Sequence, residues 1–150
     1  MKKVLSLSIL MLLCLNIVIP SAVAVEYNTY QETETIWFAD GSHAEITTTH
    51  YSPLLRSTAK SDKTYTYWNN QGQKAFSYTL YAEFTYNGVT SSATKAFAAA
   101  DYYLSGWSLS SHDEYCSGST AYGDATFKGP GGASEDVSLT LTCDKNGNIT

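Results

Sequence analysis

Three histidines and fourteen carboxylates are the side chains with which this chain could do acid–base or metal chemistry, and their spacing decides what is possible. His43 and His50 stand seven residues apart in a stretch of alternating apolar and polar residues. In an extended strand an odd offset points them to opposite faces, so they cannot share a zinc ion without a bulge. His112-Asp113-Glu114 is locally acidic and has the oxygens for a cation, but it reads more simply as a hydrated loop. Asp144-Lys145-Asn146-Gly147-Asn148 begins like a calcium loop, with oxygen-bearing side chains at alternate positions. Ile149 then stands where the sixth-position glycine belongs, and no bidentate glutamate follows. The segment reads as an Asn146-Gly147 turn. No G-x-S-x-G elbow occurs, no serine is set beside a histidine and a carboxylate, and the carboxylates are too scattered to nominate a glycosidase pair. The expectation is therefore a protein without catalytic residues, metal or cofactor.

The cysteines point elsewhere. Cys14 lies inside an apolar run, Val4 to Ile19, that follows Lys2 and Lys3 and precedes Pro20, Ser21 and Ala22-Val23-Ala24. This is the layout of an export signal with a small-x-small cleavage site, and cleavage is expected after Ala24. The run is shorter than the roughly 18 to 20 apolar residues that span a bilayer. Leu13 also stands where a lipidated cysteine needs a small residue. Residues 25–150 are then one domain of 126 residues with a modest core. Lys2 and Lys3 leave with the signal, so seven basic residues face fourteen acidic ones, a net charge of −7. Such a surface repels phosphate backbones and anionic lipid, which disfavours nucleic-acid and membrane partners. Cys116 and Cys143 remain, and an isolated pair in a small exported domain is expected to form a bridge. With about 27 residues in the closed loop, that bridge would contribute roughly 3 to 4 kcal/mol.

The elements that must position these residues are strands. Thr, Tyr, Val, Ile, Phe and Trp fill the periodic stretches, and such side chains suit a pleated, half-buried surface. Residues 33–51 read as a hairpin around Asp40-Gly41, and residues 64–97 as three strands turning near residues 70–73 and at Asn87-Gly88. Residues 52–63 have no period and read as a connection containing Pro53. Phe76, Tyr78, Leu80, Ala82, Phe84 and Tyr86 fall on one face of one strand, and an apolar strip of that size is expected in the core. Residues 93–107 are read as a strand followed by a crossover loop, with a short alanine-rich helix as the alternative. Residues 121–128 and 137–143 form a last hairpin-like pair across Gly129 to Gly132, with Cys143 facing inward. Seven or eight strands with regular turn signals imply an all-β fold, an antiparallel sandwich of two sheets, immunoglobulin-like in outline.

KTYTYWNNQGQKAFSYTLYAEFTYNGVTSSATKA (63–96) and LTLTCDKNGNIT (139–150) resemble a group of small secreted proteins of Gram-positive, clostridia-like bacteria. In that group a TYTY…FTYNG hairpin and a TC-D-x-NGN tail recur, and the likeness covers roughly residues 56–150. It implies an exported bacterial sandwich domain and brings no functional residues with it. The function expected is that of a secreted, non-enzymatic structural or protein-interaction module. Its binding surface would lie on loops such as 52–63 or 98–119. An alternative is carbohydrate binding through exposed Trp37, Trp68, Trp107 or tyrosines such as Tyr81. A secreted antimicrobial or its immunity partner is a further one.

Overall fold

The computed structural model describes residues 28–52 and 57–150. The expected leader 1–24 with its cleavage site after Ala24, Cys14 and Pro53 lie outside those residues. Eight strands follow one another: β1 Asn28–Trp37, β2 His43–Ser52, β3 Thr58–Trp68, β4 Lys74–Tyr86, β5 Ser91–Tyr102, β6 Ser108–Ser117, β7 Thr120–Lys128 and β8 Ser134–Thr142. They form two antiparallel sheets, β1-β2-β3-β4-β5 and β6-β7-β8. The two-layer outline is the expected sandwich. Its connectivity is simpler than an immunoglobulin Greek key, because each sheet is a meander of sequential hairpins.

The turns follow from local chemistry. Between β1 and β2, Gly41 takes φ 85°, and the Asp40 carboxylate accepts from the Ser42 backbone N–H at 3.0 Å. Between β4 and β5, the Asn87 side chain accepts from the backbone of Val89 and Thr90. The predicted row on β4 is the heart of the core. Phe76, Tyr78, Leu80, Ala82 and Phe84 are all buried, and Phe76 stacks on Phe127 of β7 at 4.0 Å. Tyr67 and Trp107 close around the same ring.

Several expectations change. Residues 58–63 belong to β3, which shortens the expected 52–63 connection. Ala59 and Ser61 of that segment face the core side, where small residues leave no apolar period to read. The 93–107 segment is strand through Tyr102, beyond Phe97. Its helical preference, worth tenths of a kcal/mol per alanine, loses to a full ladder with β4. Ala93, Ala96, Ala98 and Ala100 face inward there, and their small side chains let β6 pack closely over β5. His112-Asp113-Glu114 lies in β6 and is no loop. Of the expected 98–119 loop only residues 103–107 and the turn at residues 118–119 are outside strands.

The expected bridge between Cys116 and Cys143 is not made, and both cysteines are free. Cys116 on β6 stands opposite Ala121 of β7, which stands opposite Leu141 of β8, and Cys143 follows two residues later. An intervening strand therefore separates them. Two strand spacings of about 4.8 Å already exceed the ~7 Å that a disulfide tolerates between Cα atoms. Cys143 is buried as expected, while Cys116 sits exposed on the edge strand.

Candidate interaction surface

Three places gather polar or aromatic groups, and their geometries differ. The first is the outer face of the five-stranded sheet. Trp37, His43 and Trp68 occupy one row across β1, β2 and β3. Their rings lie 4.5 and 5.7 Å apart with interplanar angles of 30° and 3°. Those spacings are close to the ~4.8 Å between strands, so the rings stand on edge and stack on one another, while Trp37 at the end of the row stays 68% exposed. Tyr81 and Phe97 repeat the arrangement at 4.8 Å and 12°. Between these rows run hydroxyls, with Thr33 paired to Thr47 and Thr64 paired to Thr79 at 2.9 Å each. A depression of about 360 Å³ opens beside Tyr81, lined by Tyr51, Asp62 and Glu83 among others. There the Tyr51 hydroxyl donates to Asp62 at 2.6 Å, and this bond to the carboxylate pushes the tyrosine pKa up to about 12. Trp107, the third tryptophan, packs into the core.

The second place is the inner lip of β6. Glu114 accepts from the buried Tyr78 hydroxyl at 2.6 Å and is bonded to His112 Nδ1 at 2.9 Å. Burial, then the bond to Glu114, raises the Tyr78 pKa far above that of a free phenol, so Tyr78 is a permanent donor. Cys116 shares this face of the strand with His112 and Glu114, four and two residues away, which is too far from the imidazole for activation. Burial raises its thiol pKa. The cluster ties one sheet to the other and lacks an activated nucleophile.

The third place arises because five strands face three. β6, β7 and β8 pack over β5, β4 and β3, and among the described residues β1 and β2 make no substantial contact with the smaller sheet. The inner face of β1 and β2 is thus the floor of an open notch, and the free edge of β8 is its wall. The ladder register sets the floor in rows. Ile36 stands beside Ala44, Glu34 beside Ile46, Glu32 beside Thr48 and Tyr30 beside His50. Ile36 is 44% exposed and Tyr30 52%, whereas a covered core face would bury both. Lys63 rises from β3 into the middle of the floor, half-buried, and burial lowers its pKa against the pull of Glu34. Neither Glu32 nor Glu34 has an ion-pair partner among the described residues. At the far end Glu135 of β8 accepts from Tyr65, and burial holds its carboxyl above the ordinary value.

At the other end the notch deepens into a pocket of about 220 Å³ between Tyr30, His50 and the 146–149 segment. That segment is held by Asp144, whose carboxylate accepts from the backbone of Asn146 and Asn148. The Asn148 side-chain amide donates to the same carboxylate at 2.8 Å, and this bond first, with the backbone ones, holds the acid below its usual value. Its oxygens are taken up by the turn, in keeping with the turn reading. Gly147 takes φ 90°, and a Cβ there would meet the Tyr86 ring at 2.5 Å.

The residues singled out in the sequence thus scatter. His43 and His50 do point to opposite faces, His112 lies at the far edge of the other sheet, and no cluster of three metal-ligating side chains occurs among the described residues. No helix of the described residues is long and apolar enough to cross a membrane. The notch carried no local motif. Its only trace in the sequence is the mixed apolar and acidic face of β1, Tyr30-x-Glu32-x-Glu34-x-Ile36. Comparison with protein-family models, with curated proteins and with solved structures gave no match to this chain.

Proposed function

We propose that this is an exported, non-enzymatic β-sandwich module that works by docking another protein on the open flank formed by β1, β2 and the edge of β8. The observation that carries the reading is the unequal pairing of the sheets. A five-stranded layer under a three-stranded one leaves Ile36 and Tyr30 in water beside an edge of β8 that, among the described residues, is unpaired beyond Thr142, the kind of surface that proteins use for partners. The export leader and the motif resemblance support an extracellular place of action. A photo-crosslinking residue at Ile36 or Ile46, in cells that make the protein, is expected to give adducts of protein size. The same residue at Tyr122, on the opposite face of the smaller sheet, is expected to give none. Adducts at Tyr122 alone would remove the flank as the docking surface.

Carbohydrate binding is the second reading, favoured by the depression beside Tyr81, where aromatic rings and the Asp62 carboxylate lie together. It ranks lower because a sugar stacks on an open ring face, and the outer-face rings stand on edge and stack on each other, which leaves open faces at the row ends, Trp37 and Phe97, rather than a flat platform. Retention on a glycan array that is lost on Tyr81→Ala would reverse the order.

A further inference from the structure

The open flank also specifies how a partner would bind. This inference rests on the docking reading above and assigns the chemistry of the partner. Cys143 donates its N–H to Ser119 on the β7 side, while Thr142 exchanges both backbone bonds with Thr150 on the other side. Because successive residues of a strand aim their backbone groups to opposite sides, Thr140, Ser138 and Asp136 follow Thr142 in presenting theirs to the open edge. Ile149 and Thr150 thus already occupy the first rungs of a fourth strand beside β8, antiparallel to it. The next rungs are free among the described residues, and they overhang the floor of β2.

We infer that the partner supplies an extended segment that adds to the free edge of β8, with an apolar–cationic–cationic–apolar pattern at alternate, floor-facing positions. The pattern is read from the rows of the floor. Positions over Ala44 with Ile36, and over His50 with Tyr30, meet apolar or aromatic surface. The two positions between them lie over Ile46 with Glu34 and Thr48 with Glu32. There a lysine or arginine stem covers the aliphatic floor while its head reaches a carboxylate. The backbone bonds to β8 supply sequence-independent affinity, and the floor supplies the selection. A second copy of this chain does not fit the notch. Of its four edge strands, β1 and β8 would bring Glu32, Glu34, Glu135 and Asp136 against the same carboxylates, and β5 and β6 hold one lysine between them, Lys95, so none offers the pair of cations. Lys63 offsets only part of the floor's negative charge.

The test uses the folded protein and two synthetic nine-residue peptides. One carries leucine, lysine, lysine and leucine at positions two, four, six and eight between threonines, and the other has glutamates for the lysines. Titration at low ionic strength is expected to show saturable binding of the lysine peptide and at least tenfold weaker binding of the glutamate peptide. Amide hydrogen exchange should slow at Asp136, Ser138 and Thr140. Glu32→Lys with Glu34→Lys, both exposed positions, should invert the preference. Ser138→Pro, which removes an edge donor, should weaken the lysine peptide by about tenfold or more, with circular dichroism confirming the fold. Equal binding of both peptides, slowed exchange on β1 instead of β8, or self-association without peptide would overturn the inference. If crosslinks at Ile36 or Ile46 persist while the β8 amides stay unprotected, strand addition fails and the docking reading survives.

Discussion

Gly123 on β7 lies under β4. A Cβ built there would stand 3.1 Å from Leu80 Cδ1 and 3.2 Å from the Tyr78 hydroxyl oxygen. Its missing side chain is what lets that hydroxyl pass over β7 and reach Glu114 on the next strand. Gly123→Ala should therefore destabilise by overpacking, about 1–3 kcal/mol, offset by about 0.4–1 kcal/mol because alanine stiffens the unfolded chain and Gly123 has no positive φ to protect. Tyr78→Phe deletes the hydroxyl and leaves Glu114 with His112 alone, a loss of about 1.5–3 kcal/mol for a bond to a charged group. The two changes act on one contact, so their effects should not add. In the Tyr78→Phe background the alanine no longer meets the hydroxyl and is left against Leu80, whose Cδ1 can rotate and whose Cβ lies at 3.4 Å, so its cost should shrink by about 0.5–1.5 kcal/mol. Urea unfolding of the four proteins reads this directly, as shifts in midpoint at constant slope. A Gly123→Ala penalty that is the same in both backgrounds, or a stabilising Gly123→Ala, would refute the claim that this glycine serves the tie between the sheets.

Other outcomes are as definite. Phe76→Ala removes a fully buried ring stacked on Phe127 and should cost about 3–5 kcal/mol, read by the same urea titration. A thiol reagent should label Cys116 in the native protein and Cys143 only on unfolding, and reductant should leave the melting temperature unchanged; a mass two hydrogen atoms short of the dithiol would contradict the register of β6 to β8. Burial holds His50, stacked on Tyr30, below its ordinary pKa, aided by Lys63 and opposed by Glu32 and Asp62. The unfolded chain thus takes up that proton first. Its contribution should be full above about pH 6.5 and decline as pH falls from there toward the folded value. Melting temperatures at pH 7.5 and 5.5 should differ less in His50→Phe than in the native sequence.

Much of this architecture was written in local order. Asp40-Gly41, Asn87-Gly88 and Asn146-Gly147 each supply a residue able to take positive φ, so the chain reverses there whatever the rest does. The alternation from Phe76 to Tyr86 told which face of β4 meets the core, because side chains on a strand alternate and an apolar strip of that size cannot stay in water. Where local signals were weak, pairing decided. Thr58 to Lys63 and Ala98 to Tyr102 became strand only because β4 offered each a complete ladder. The aromatic surplus was ambiguous for a related reason, since a tryptophan stacked on edge against a neighbour and one lying flat and open have the same sequence. Cys116 and Cys143 were close in the chain and redox-plausible, yet an intervening strand keeps them apart. The open flank is the extreme case. It exists because one meander has two strands more than the other and because β8 settles over β3, and the stacking of two sheets is a long-range choice that no stretch of residues encodes alone.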